Sequence, residues 1–78
     1  MKTMTCKQLG GACDVTFRAN TFEELTELSK AHGMEMFQKQ DAAHMAAIGQ
    51  MMQLMQSPEA LNEWMEARRV EFEALPED

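Results

Sequence analysis

The sequence has few cations and no long hydrophobic run. Lys and Arg number seven against thirteen Asp and Glu, which gives a net charge of −6 over 78 residues. Because an acidic chain repels phosphate backbones and anionic lipids, we expect neither nucleic acid nor a membrane as a partner. No stretch approaches the roughly 20 apolar residues of a membrane span, and the N-terminus lacks the apolar segment of a signal peptide. We therefore expect a cytoplasmic protein.

Recognisable catalytic motifs are also missing. The sequence contains no phosphate-binding loop, no H-E-x-x-H motif and no hydrolase-like set of Ser, His and Asp. A chain of 78 residues predicts one domain, 1-78, with little room for a substrate pocket. We expect that the protein is not an enzyme. Because so short a chain buries only about 60% of its extended surface on folding, a metal, a disulfide or self-association is expected to stabilise it.

The two cysteines, Cys6 and Cys13, lie on either side of Gly10 and Gly11. The flanking residues alternate in the manner of strands, and a Gly-Gly pair can form a two-residue hairpin turn. This turn predicts a β-hairpin over 1-20 in which one apolar face carries Met4, Cys6, Cys13, Val15 and Phe17.

Several roles are open to this cysteine pair. In the predicted register, Cys6 and Cys13 are diagonal neighbours roughly 7–8 Å apart, whereas the Cα atoms of a disulfide usually lie within about 6.8 Å. Two thiolates that bind one metal tolerate the wider spacing, because each lies ~2.3 Å from the ion. The spacing therefore favours a metal site over a disulfide. A reversible redox pair and two buried apolar side chains remain alternatives.

Three helix starts follow the hairpin. Thr21 with Glu24 forms a capping box, Asp41 is a good N-cap, and Ser57 precedes a proline at the first helical position. These signals predict helix one over 21-38, helix two over 41-56 and helix three over 57-75, with a turn at "QKQD". The expected fold class is α+β, with an N-terminal β-hairpin packed against two to three α-helices.

His32 lies on the predicted apolar stripe of helix one, which comprises Leu25, Leu28, Met36 and Phe37. This stripe should cover the cysteine face of the hairpin. His32 is then either a core residue with one hydrogen bond or a third metal ligand beside Cys6 and Cys13. Two sulfurs and one imidazole suit Zn²⁺ better than Ca²⁺ or Mg²⁺, and other transition metals accept the same ligands.

A closed structural site needs a fourth ligand, for which His44 is the candidate. In one straight helix His44 would lie about 18 Å from His32. It can complete the site only if the chain turns back at "QKQD". Otherwise His44 simply occupies the first turn of helix two.

The stretch C-x-x-L-G-G-x-C-D resembles a family of small bacterial proteins described as predicted metal-binding proteins of unknown function. The resemblance extends over about residues 1–38, and its matching positions are Cys6, Leu9, Gly10, Gly11, Cys13, Asp14, Thr21 and His32. It implies metal binding. Members of that family often have a second histidine where this chain has Phe37. Either His44 takes over that role, or the fourth protein ligand is missing.

Nine methionines suggest a further property. Thioethers bind Cu(I), but Met45, Met51, Met52 and Met55 recur at intervals that pack a helix against its neighbours. Because helix two is so apolar, we also expect an exposed apolar patch on it, and hence a homo-oligomer or a protein partner. The preferred hypothesis is a zinc-binding domain with Cys and His ligands. The alternative is a metal-free helical interaction or homo-oligomerisation module with a Met-rich surface.

Overall fold

The computed structural model describes residues 1–77, which form a two-stranded antiparallel sheet followed by three helices. The elements are β1 (Lys2–Thr5), β2 (Thr16–Ala19), α1 (Phe22–Lys39), α2 (Ala42–Met55) and α3 (Pro58–Ala74). Helix α1 packs on β2 and on both other helices, and α3 also contacts β1. The predicted α+β fold, a hairpin packed against helices, is confirmed.

The strands pair in the predicted register, but the connection between them differs from the prediction. Met4 lies opposite Phe17, as a turn at Gly10 and Gly11 requires. The strands nevertheless end early, and residues 6–15 form a loop that contains a short 3₁₀ helix, Lys7–Leu9. The prediction of a two-residue turn is therefore wrong.

Backbone hydrogen bonds give this loop its shape. The carbonyl of Cys6 accepts hydrogen bonds from the N–H groups of Leu9 at 3.0 Å and Gly11 at 2.8 Å. Gly10 has φ 89°, a left-handed conformation that glycine adopts without steric cost. Because the loop does not follow strand alternation, Val15 is 41% exposed and does not share the buried face of Cys6. The prediction for Val15 is wrong for this reason.

The helices begin at the caps that the sequence predicts. Thr21, Asp41 and Ser57 each accept a hydrogen bond from the backbone N–H three residues later, at 3.1, 3.0 and 3.4 Å respectively. Between α1 and α2 the chain reverses at Gln40, which has φ 55°. The turn predicted at "QKQD" is confirmed. No helix within residues 1–77 is long and apolar enough to cross a lipid bilayer.

The core lies where the sheet meets α1 and α3. Its buried residues are Met4, Cys6, Leu9, Phe17, Ala19, Phe22, Leu25 and Phe72. Leu25 is fully buried, but Leu28 is 43% exposed and Phe37 is also exposed, so the predicted stripe on α1 was too wide. Strands of four residues span only about 13 Å, and they cannot cover a helix about 27 Å long.

Candidate metal centre

Four side chains from separate segments of the fold converge at one place. Cys6 follows β1, Cys13 lies in the loop before β2, His32 lies in α1, and His44 is in the first turn of α2. One sulfur or nitrogen atom of each residue lies within 4.8 Å of the corresponding atoms of the other three. The structure thus brings together all four residues that the sequence singles out, and this cluster could hold a metal ion.

Two sulfur–nitrogen separations within the cluster match those of ligands around a single ion. The Sγ atom of Cys13 lies 3.3 Å from Nε2 of His32, and the Sγ atom of Cys6 lies 3.7 Å from Nε2 of His44. A tetrahedral zinc ion, with Zn–S near 2.3 Å and Zn–N near 2.05 Å, holds a sulfur and a nitrogen about 3.6 Å apart. The two observed separations lie on either side of this value.

The helical hairpin of α1 and α2 brings the two histidines together. The reversal at Gln40 places the ring centroids of His32 and His44 only 5.3 Å apart, with the rings inclined at 77°. Phe17 of β2 also contacts the ring of His32 edge-on, with the ring centroids 5.6 Å apart. His44 therefore reaches the site by the turn predicted at "QKQD", and both β2 and α2 contribute a ring contact to His32.

Asp41 fixes the orientation of His44. Its Oδ2 atom accepts hydrogen bonds from Nδ1 of His44 at 2.6 Å and from the backbone N–H of His44 at 3.0 Å. Because a carboxylate can only accept, the imidazole proton lies on Nδ1, and in the neutral ring the lone pair of Nε2 points to the cysteines. The same hydrogen bond raises the pKa of His44 and lowers the pKa of Asp41.

A carboxylate behind a metal-binding imidazole is a common supporting arrangement in metalloproteins. The sequence predicts a capping role for Asp41, whereas the structure adds the hydrogen bond to the imidazole of His44. The spacing D-x-x-H, with the aspartate at the N-cap, was the signal that could have found it. Since the N-cap side chain points back over the first turn, it can reach both the backbone and the side chain of the third helical residue.

The two thiols have different environments. Burial raises the pKa of Cys6, although hydrogen bonding from the backbone of Cys13 and Ala12 opposes this effect. Hydrogen bonding from the backbone of Val15 lowers the pKa of Cys13. Cys13 is also the more accessible of the two. It is therefore the thiol that ionises more readily, and thiolate is the form that coordinates a metal.

Gly11 is in close contact with the Cys6 thiol. A Cβ atom at this position would lie 2.0 Å from Sγ of Cys6 and 3.0 Å from its carbonyl oxygen. Only glycine therefore allows the thiol to face the other three candidate ligands. The sequence predicts Gly11 as a turn residue, whereas the structure shows that a larger residue would collide with the Cys6 thiol.

Comparisons with protein-family models, curated proteins and solved structures found no match to this chain. The resemblance to the family of small bacterial metal-binding proteins therefore stays a prediction. Asp14, which belongs to the resembling motif, is exposed and forms an ion pair with Lys7 at 3.3 Å.

Proposed function

We propose that the protein is a small, non-enzymatic, cytoplasmic domain that binds one zinc ion through Cys6, Cys13, His32 and His44. The observation that carries the proposal is the pair of sulfur–nitrogen separations, 3.3 and 3.7 Å. These agree with the separation of about 3.6 Å around a tetrahedral zinc ion. Four protein ligands would fill every position of such an ion, whereas a catalytic zinc keeps one position for water or substrate.

The chemistry of the ligands supports zinc over the hard cations. Two thiolates and two imidazoles are soft or borderline donors, which suit Zn²⁺, while Ca²⁺ and Mg²⁺ take oxygen ligands. A cytoplasmic location agrees with this use of cysteine, because a reducing compartment keeps thiols available for metals.

Zinc bound in this way would stabilise the fold. The ligands come from the loop, α1 and α2, so one ion would tie α2, whose one buried residue is His44, to two segments that contribute to the apolar core. A ligand that binds only the folded state stabilises it by about 2.7 kcal/mol when its free concentration is 100 times Kd. Removal of the metal should therefore lower the melting temperature.

Elemental analysis of protein purified under reducing conditions tests the proposal. We expect one zinc ion per chain in the wild type, and little or none after Cys6→Ser, Cys13→Ser or His44→Gln. Asp14→Asn is the matched control, because this exposed acid lies beside Cys13 but is paired with Lys7 outside the cluster. A wild type without metal, or cysteine variants that keep their metal, would contradict the proposal.

A second candidate function is self-association through α2. Met52 and Met55 are 60% and 57% exposed, although both are large apolar side chains. A second copy of the chain could cover them, because burial of apolar surface favours association. Light scattering over a dilution series should then show a dimer that Met52→Gln with Met55→Gln weakens. A wild type that is monomeric at high concentration would exclude this function.

A further inference from the structure

A cavity opens directly onto the candidate metal ligands. Its volume is about 170 Å³, and three of the four ligands, Cys6, His32 and His44, line it. A water molecule in the liquid occupies about 30 Å³. The cavity therefore has room for several waters, or for the donor end of a small chelating molecule.

The remaining wall of this cavity is largely apolar. It includes Leu9 from the loop and Ala47, Ile48 and Met51 from α2. Apolar side chains offer no strong donor for a metal ion or for a polar ligand. A small molecule that enters would therefore find its strongest partner at a metal held beside Cys6, His32 and His44.

Gly33 lies beside His32 in α1 and lines the same cavity, one turn after Ser29. A Cβ atom at Gly33 would meet no atom within 4 Å, so the absence of a side chain leaves this position open. Gly49 in α2 has equally open surroundings but does not line the cavity. The two helical glycines thus form a matched pair for substitution.

We infer that this cavity is the route by which the bound metal exchanges with small chelating molecules, and that Gly33 keeps the route open. The inference rests on the proposed metal binding. A fully enclosed ion could leave only after local unfolding of the protein. Here, a donor atom of an incoming molecule could reach the ion while protein ligands still hold it, and each new bond to the ion would replace the bond to Cys6, His32 or His44. Small thiols and imidazoles are the expected class of exchange partner, because their donors match those of the site.

Zinc transfer to the chelator 4-(2-pyridylazo)resorcinol, followed by absorbance in a stopped-flow instrument, tests this inference. The wild-type rate should rise with chelator concentration, because the chelator attacks the bound ion. Gly33→Leu should slow the transfer more than about tenfold, since filling the cavity leaves only the unfolding route. Gly49→Leu should leave the rate unchanged. Gly33→Ala should slow it less, and it serves as the test if the leucine variant does not fold.

The possible failures of this experiment are distinguishable. Equal rates for the Gly33 and Gly49 variants, or a wild-type rate independent of chelator concentration, would show that zinc leaves by local unfolding and would overturn the inference alone. A wild-type chain that holds no zinc before mixing would overturn the proposed function itself.

Discussion

Replacing Gly11 with alanine adds one methyl group at the point where the loop touches the Cys6 thiol. The new Cβ would lie 2.0 Å from Sγ, whereas non-bonded heavy atoms pack at roughly 3.5–4.0 Å. The thiol must therefore move by at least about 1.5 Å. Ligand distances in a metal site stay within about 0.2 Å of their ideal values. In the proposed zinc site, a displacement of this size would remove Cys6 from the ion.

We expect Gly11→Ala to weaken zinc binding more than about 100-fold, because loss of a supporting hydrogen bond alone costs 10–100-fold and here a ligand is displaced. Competition against a chromophoric chelator measures the affinity. Gly10→Ala is the control. The Cβ at Gly10 would meet Cε of Met51 at 3.0 Å and the Trp64 ring at 3.1 Å, without touching the cluster.

Gly10→Ala should cost about 1–2 kcal/mol of stability, because alanine disfavours the left-handed conformation. Urea unfolding of the metal-free protein measures this cost. Zinc affinity should change little, since Cys6 stays in place. If Gly11→Ala bound zinc as tightly as the wild type, or if Gly10→Ala lost zinc to the same extent, the steric explanation for Gly11 would be refuted.

Three further predictions concern the support of the site, its pH dependence and the core. Asp41→Ala should weaken zinc binding about 10–100-fold, because it removes the hydrogen bond to the imidazole of His44. Ser57→Ala removes only the cap of α3 and should lower stability without changing zinc affinity. Equal zinc affinities of the two variants in competition titrations would contradict the role of Asp41. After dialysis the chain should hold one zinc ion near neutral pH and lose it as the pH falls, because protons compete with zinc for the thiolates and imidazoles. The hydrogen bond to Asp41 favours this loss, since it raises the pKa of His44. Full retention of zinc in acid would contradict the ligand assignment. Leu25→Ala should lower the free energy of unfolding in urea by about 2–5 kcal/mol, because this side chain is fully buried. Leu28→Ala should lower it much less, since Leu28 is exposed. Equal effects of the two substitutions would contradict the position of the core.

Local signals predicted much of the fold from the sequence. The helix starts were predictable because an N-cap depends only on one side chain and the next few backbone N–H groups. This holds for Thr21, Asp41 and Ser57. The strand register follows from apolar alternation, which places Met4 opposite Phe17. The same local signals predicted the four candidate ligands, since each lies on an apolar face of the hairpin or of helix one, or at the start of helix two.

The errors and omissions depend on contacts that local patterns do not encode. Val15 is exposed although its carbonyl accepts a hydrogen bond from the N–H of Cys6, because the backbone of Cys6 is helical rather than extended and strand alternation no longer holds there. Phe37 is exposed because the short strands cover only part of α1. The roles of Asp41 and Gly11 required the rotamers of His44 and Cys6, which only the packed structure provides.

Zinc K-edge X-ray absorption of the zinc-loaded chain is the most direct test of the candidate metal centre. Two sulfur ligands near 2.3 Å and two nitrogen ligands at about 2.0–2.1 Å are expected in the first shell. Cys6→Ser and Cys13→Ser, which should lose their zinc on purification, should each show one sulfur fewer in that shell when they are measured with zinc added in excess. A first shell of oxygen and nitrogen alone, or one that both cysteine variants leave unchanged, would contradict zinc binding by this cluster.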